Sequence, residues 1–323
     1  MSPLAAAALL WAAFLVTTFW ARGVSVPGLA LALRESLAPP YDWSGAAATW
    51  LSHARGAAGA LGILAAALGA GARCGAWLSP GAPARRLEAA GLGLAVLGTA
   101  VLGAGLAGLA RPACLVAVVG TGVLAGLGTA AWPRPRLPRA GGPVATALLV
   151  GTVACCVLAL AFALAPEAGW DALSYHLNAP RIWLAEGRIR AIPHLVQSFF
   201  PFLAEMWFML GQALGGDEAA KLLNWAMLPL TVAALAALAP GTEGRLAGLL
   251  YAALPASGLL AWECYVDLEG AWRGLLAIGS LRRRSPGARL TGGALAGVAL
   301  ACKPTTLPMV LVVLAWPRVS RAV

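Results

Sequence analysis

Charged residues are scarce in this chain, and their scarcity excludes an ordinary soluble protein. Only 11% of the 323 residues are charged and 60% are hydrophobic, with a mean hydropathy of +0.79. A soluble globular domain carries about 25% charged residues. Apolar surface of this extent faces lipid, where helices satisfy their own backbone hydrogen bonds. The composition therefore predicts an all-α fold, a polytopic helical bundle in a membrane.

Several motifs that would define a function are also missing. The six cysteines form no CxxC pair, so neither a zinc site nor a disulfide framework is supported. No HExxH sequence occurs, which excludes a zincin-type membrane protease. Gly103, Gly105 and Gly108 fit GxGxxG, but they lie inside an apolar run without a preceding strand. Small residues there serve close helix packing instead.

The net charge of +10 does not indicate a nucleic-acid partner. The arginines stand in short loops between apolar runs, where positive charge sets the orientation of a membrane protein. The partner that this charge predicts is the lipid bilayer.

The apolar runs predict about ten transmembrane helices, since about 20 apolar residues cross the bilayer. Residues 1–142 form an N-terminal block of such helices, and residues 143–323 form a second block. The sequence ends soon after a short apolar run, which favours a C-terminus that is truncated. The first run lacks a preceding positive region, so we interpret it as a retained helix rather than a signal peptide. The predicted spans are 4–20, 56–74, 90–110, 113–132, 144–165, 219–239, 246–262, 267–281, 288–302 and 305–316.

One long polar loop, residues 166–198, interrupts the apolar runs and holds two of the three histidines. The arginines within 134–139 mark the preceding loop as cytoplasmic, so the polar loop is expected on the outer face. Residues 199–214 would reach only about 24 Å as a helix, and they contain Glu205. If they crossed the membrane, the arginines 282–284 would lie on the outer face. We therefore predict that 199–214 is an amphipathic helix in the membrane interface, which leaves these arginines on the cytoplasmic side.

This topology gathers acidic residues from two separate outer segments, 166–218 and 263–269, at one membrane face. Convergence of that kind is what a catalytic or cation-binding site requires. The residues concerned are Asp171, Glu186, Asp217, Glu218, Glu263, Asp267 and Glu269.

The second half of the chain also contains four stretches with a family likeness: WDALSYHLNAPRIWLAEGRI (170–189), FFPFLAEMWFMLG (199–211), YVDLEGAW (265–272) and GVALACKPTTLPMVL (297–311). They resemble the GT-C superfamily of integral-membrane glycosyltransferases, in particular the bacterial branch related to protein O-mannosyltransferases and aminoarabinose transferases. The resemblance implies a GT-C-like bundle with juxtamembrane helices on the outer face. It implies a multi-pass enzyme of the inner cell membrane whose active site faces outward. Such an enzyme would transfer a sugar from a polyprenyl-phosphate donor to an acceptor lipid, glycan or protein.

Asp171 is the first candidate catalytic residue. An inverting transfer needs a base that takes the proton from the acceptor hydroxyl, and a carboxylate at the water–lipid boundary gains basicity by partial desolvation. The alternative is that Asp171 is the N-cap of a helix over 172–186. Asp267 is the second catalytic candidate and would orient the acceptor or a metal. Glu263 and Glu269 compete with it for this role.

A lipid-phosphate donor presents an anionic leaving group, which needs cationic stabilisation. Arginine offers bidentate geometry to a phosphate and lysine a point charge. The alternatives are headgroup contacts for the loop arginines, snorkelling for Lys303, and plain packing for Tyr175 and His176. The candidate substrate-binding residues are Tyr175, His176, Arg181, His194 and Lys303.

Two alternatives stay open: a divalent metal as cofactor, and a function other than catalysis. Asp171, His176 and His194 carry groups that ligate metals, but their spacing is not diagnostic, so a divalent metal stays open. The contrasting function is a transporter or a non-catalytic membrane component with an outer acidic binding site. Transport pathways need ionisable groups near the bilayer midplane, and only Arg273 is expected there, which favours the enzyme.

Overall fold

The fold is a bundle of helices. The computed structural model describes residues 43–79, 85–129, 142–239, 241–283 and 285–319, and in these ranges there are helices and turns but no strands. In chain order the α-helices are α1 (Trp43–Leu78), α2 (Arg86–Leu106), α3 (Pro112–Ala125), α4 (Pro143–Ala163), α5 (Asn178–Glu186), α6 (Leu203–Gly215), α7 (Asp217–Leu238), α8 (Thr242–Ala252), α9 (Pro255–Trp262), α10 (Asp267–Leu281), α11 (Pro286–Cys302) and α12 (Leu307–Val319).

The chain divides into two compact units, Met1–Leu51 and Ser52–Val323. In the first unit the described residues are the start of α1. The contacts of the site lie within the second unit.

Four of these helices are long and apolar enough to cross a membrane: α1 from Ala47, α2, α4 and α7. The pair α8 and α9 makes a fifth if it counts as one span, although it is bent by 65°. The bend falls at the residue before Pro255, where proline disfavours helical backbone. The structure thus shows a helical protein with four or five candidate spans in its described part.

The prediction of about ten spans is not confirmed. Several predicted spans correspond to helices that are too short to cross the membrane. Helix α10, for example, has 15 residues and reaches about 22 Å, whereas the hydrocarbon core is about 30 Å thick. The helices α3, α11 and α12 are similarly short, with 14, 17 and 13 residues. The predicted span 4–20 lies outside the described residues.

Hydrogen bonds between elements show which helix ends lie together. The Nζ atom of Lys221 donates to the carbonyl of Ala165 at 2.6 Å, and Nδ2 of Asn224 donates to the carbonyls of Leu260 and Ala261. The C-terminal ends of α4 and α9 therefore lie beside the first turns of α7. We call this the loop end of the bundle, because the polar loop starts there.

The opposite end is held by arginines. Nη2 of Arg283 donates to Oε2 of the buried Glu88 at 2.6 Å, and Nη1 of Arg282 donates to the carbonyl of Leu238 at 3.1 Å. The start of α2 thus lies beside the ends of α7 and α10. The arginine cluster of residues 282–283 and the polar loop lie at opposite ends of the bundle.

Helix α6 is enclosed by protein, which differs from the expected interfacial position of 199–214. Its buried residues include Glu205 and Trp207, and the indole of Trp207 donates to the carbonyl of Leu94 in α2 at 2.6 Å. A Cβ atom on Gly211 would stand 2.7 Å from the backbone nitrogen of Ala220. Glycine therefore lets α6 and α7 approach closely, and this contact draws α6 into the interior.

Candidate functional site

The site begins with Glu167, which joins the polar loop to the acidic segment (residues 263–269). Its Oε1 atom accepts from the backbone nitrogens of Ala168 and Gly169 at 3.0 and 2.9 Å. Its Oε2 atom accepts from the backbone nitrogen of Cys264 at 3.0 Å and lies 3.8 Å from Nζ of the buried Lys221. Glu167 was not among the candidates from the sequence, since nothing in its local pattern reveals a partner 97 residues away.

The residues after Trp170 form a π-helical turn, Ala172–His176, in place of the first part of the expected helix over 172–186. The turn is closed by the hydrogen bond from the nitrogen of Leu177 to the carbonyl of Ala172 at 2.9 Å. Asp171 has helical backbone angles, and its side chain makes no capping bond. The N-cap alternative therefore fails for Asp171, whose carboxylate instead interacts with the hydroxyl of Tyr175.

Tyr175 marks the point where the two acidic segments meet. Its pKa is raised, first by burial and then by the negative charges of Asp171, Glu205 and Asp267. The two segments also meet in direct contacts, since Glu167 accepts from the backbone nitrogen of Cys264 at 3.0 Å and the rings of His176 and Tyr265 lie 6.1 Å apart, centroid to centroid. The convergence of the polar loop and the acidic segment, inferred from charge topology, is thus present in the fold.

Asp267, whose charge acts on Tyr175, forms an ion pair with Lys303. Nζ of Lys303 lies 2.6 Å from Oδ1 of Asp267, and the two side chains are 29% and 36% exposed. Lys303 follows the last residue of α11, while Asp267 is the first residue of α10. The ion pair is therefore accessible to solvent, and it holds the amine of Lys303 against the acidic segment.

His176 is held by a residue that the sequence analysis did not select. Nδ1 of His176 lies 2.6 Å from Oε1 of Glu205 in α6, and their side chains are only 4% and 3% exposed. The rings of Tyr175 and Tyr265 stand 4.1 and 6.1 Å from the imidazole, centroid to centroid. Burial raises the pKa of Glu205, and the hydrogen bond and charge of His176 oppose this rise.

A sequence signal for Glu205 did exist. A carboxylate inside an apolar helix is costly and usually marks a functional site. Its partner lies 29 residues earlier in the chain, at a distance that no local pattern predicts.

Glu269 no longer competes with Asp267 for the second catalytic role, whereas Glu263 keeps its place as an alternative. Glu269 is buried and forms an ion pair with Arg273 one turn along α10. The guanidinium of Arg273 also lies 4.5 Å from the ring of Trp207, a cation–π contact that stabilises a buried positive charge. Burial and the nearby Glu167 raise the pKa of Glu263, which lies at the Glu167 junction.

Arg181 and His194 stand apart from this group. Nη2 of Arg181 pairs with Oδ2 of Asp217 at 2.6 Å, with side chains 54% and 41% exposed. His194 is exposed, and no ion pair or hydrogen bond holds it to another described residue. The structure thus brings together five of the seven sequence candidates: Asp171, Tyr175, His176, Asp267 and Lys303.

Metal ligands are not gathered in the described part of the chain. No group of three or more His, Cys, Asp or Glu side chains lies close enough there to hold a metal ion. The set of Asp171, His176 and His194 does not assemble.

Comparison with family models, with curated proteins and with solved structures finds no match for this chain.

Proposed function

We propose that this protein is a multi-pass membrane glycosyltransferase of the GT-C type, which transfers a sugar from a polyprenyl-phosphate donor to an acceptor at the loop end of the bundle. The observation that carries the proposal is the contact between the polar loop, which holds Asp171, and the acidic segment, which holds Asp267. It is made by Glu167 with Cys264 and by His176 with Tyr265. Carboxylates from two distant segments, with an accessible amine beside them, supply both a base and a phosphate ligand. The GT-C-like arrangement of the bundle is part of the same proposal, as is an outward-facing position in the inner cell membrane.

The transfer is a single displacement at the anomeric carbon. Asp171 takes the proton of the acceptor hydroxyl while its oxygen forms the new glycosidic bond. The bond between the anomeric carbon and the phosphate oxygen breaks, and the polyprenyl phosphate leaves with the electron pair. Asp267 holds Lys303 in place, and its carboxylate assists in orienting the acceptor.

The leaving phosphate needs a cation, and Lys303 is the best placed one. Its amine is part-exposed and lies in the same group as Asp171 and Asp267. An ammonium has three donors, so Lys303 can keep Asp267 and still bind a phosphate oxygen. Arg181 would have to leave Asp217 first, which makes it the weaker of the two candidates.

The test is sugar release from labelled polyprenyl-phosphate donors in membranes or proteoliposomes. Asp171→Asn removes the base and keeps the shape, so turnover should fall by about 10²- to 10⁴-fold. Glu186→Gln is the matched control, because Glu186 forms an exposed pair with Arg190 away from the site, and it should turn over at the wild-type rate. Equal turnover in wild type and Asp171→Asn would remove Asp171 as the base.

A transporter, or a membrane component that binds cations without catalysis, is the second candidate. Its supporting observation is the burial of Glu205, Glu269 and Arg273, since ionisable groups inside a bundle often mark ion pathways. Arg273 packs on Trp207, which is bonded to Leu94 near the middle of α2. The same proteoliposomes separate the candidates, because a transporter would move protons or cations across them and release no sugar.

A further inference from the structure

The buried pair of His176 and Glu205 connects the π-helical turn to helix α6. It bonds the last residue of the turn, and Nε2 of His176 and Oε2 of Glu205 have no other partner among the described residues. A second bond from the same helix follows one residue later, since Nε2 of Gln212 donates to the carbonyl of Leu177 at 2.9 Å. Helix α6 thus fixes the C-terminal side of the turn at two adjacent residues.

Helix α6 is a rigid support for this purpose. It is buried along most of its length, and Trp207 bonds it to the backbone of α2. Glu205 and Gln212 are about two helical turns apart, so they share one face of α6. The turn that carries Tyr175 and follows Asp171 is therefore docked on an element that is itself enclosed.

We propose that Glu205 is a positioning residue for the catalytic group. Through the hydrogen bond to His176 it holds the π-helical turn, and with it Asp171 and Tyr175, against the acidic segment. This inference rests on the proposed function, in which Asp171 is the base.

The groups near Glu205 agree with a positioning role rather than direct chemistry. Its carboxylate is buried and bonded to the imidazole, so it has no route to an acceptor hydroxyl in this arrangement. The 2.6 Å bond between Oε1 of Glu205 and Nδ1 of His176 fixes the orientation of the imidazole ring. Other ionisable groups within its electrostatic reach include Tyr175, Glu269, Cys302 and Lys303.

The test compares Glu205→Ala, Glu205→Gln and the double variant Asp171→Asn with Glu205→Ala, in the transfer assay. Glu205→Ala should lower kcat by about 10²-fold, because a small misplacement of a catalytic group has this effect, and should leave KM for the donor nearly unchanged. Glu205→Gln keeps an acceptor for Nδ1 and should recover most of kcat. If Glu205 acts through Asp171, the double variant is no slower than Asp171→Asn alone.

The control is Glu88→Gln, which alters an equally buried carboxylate at the opposite end of the bundle, where it pairs with Arg283. It should lower thermal stability without changing kcat. Additive losses in the double variant, or a loss in Glu205→Gln as large as in Glu205→Ala, would contradict the positioning role.

A readout without activity separates this inference from the proposed function. With three histidines and four tyrosines in the chain, isotope-labelled rings give NMR signals that substitutions can assign. Glu205→Ala should move the Nδ1 signal of His176 and the Cζ signal of Tyr175 together. If the wild-type protein transfers no sugar but Glu205→Ala still moves both signals, the proposed function is overturned. The support of the turn by Glu205 then still holds. A Tyr175 signal that does not respond to Glu205→Ala would overturn the inference itself.

Discussion

At the scale of single residues, the site depends on partners that lie far apart in the chain. Asp171 and Asp267 could be selected from the sequence, because charge topology alone put their segments on one face. Glu205 carried a sequence signal, but its role and that of Glu167 could not be predicted, because they are defined by contacts with His176 and Cys264. Local patterns show that a carboxylate is unusual, but they do not show what it binds.

The Tyr175 hydroxyl gives a prediction at this scale. Asp171 raises the pKa of Tyr175, since a neighbouring negative charge disfavours the tyrosinate. Asp171→Asn removes that charge, so the pKa of Tyr175 should fall towards its ordinary value and the ring should ionise at lower pH. A titration of ring-labelled tyrosine by NMR measures the change. Tyr251, which packs elsewhere, is the internal reference and should keep its titration midpoint.

At the scale of elements, the sequence predicted helices well where an apolar run had a clear start. The predicted span 144–165 corresponds to α4, which begins with Pro143 at its first position, a favoured place for proline. The predicted span 267–281 matches α10 in its bounds. Burial of α6 was missed, because it depends on how closely α7 can approach through Gly211, which is a property of two helices together.

Gly211 therefore gives a prediction for the packing of α6. Gly211→Ala places a methyl group against the backbone of Ala220 and should destabilise the protein by about 1–3 kcal/mol, the usual cost of overpacking. Gly293→Ala is the matched control, since a Cβ atom there meets nothing within 4 Å. Thermal unfolding in detergent should show a lower midpoint for Gly211→Ala and no lowering of the midpoint for Gly293→Ala. Equal midpoints for the two variants would mean that the contact between α6 and α7 is not tight.

At the scale of the whole molecule, the described part of the chain is a helical bundle with chemically different ends. The polar loop and the acidic segment lie at the loop end, while Arg282, Arg283 and Glu88 lie at the other. Positive charge near helix ends favours the cytoplasmic side. The number of spans was harder to predict, since hydropathy alone does not separate a full span from a short helix that is shielded by its neighbours.

The orientation can be tested with cysteine substitutions at the two ends. His194→Cys in the polar loop should react with a membrane-impermeant maleimide on intact cells, because His194 is exposed and expected outside. Arg282→Cys should react only after the membrane is permeabilised. The wild-type protein measures the background from the native cysteines. Labelling in the reverse pattern would put the site on the cytoplasmic side and contradict an outward-facing transferase.

The bonds of Glu167 have a consequence for building chimeric proteins. One carboxylate fastens the start of the polar loop to the backbone of Cys264, with Lys221 beside it. The polar loop and the acidic segment are therefore a single exchangeable part, although 97 positions separate the two bonded residues. A transplant that moves the polar loop into another bundle without its partner segment would separate Asp171 from Asp267, however faithfully the loop itself is copied.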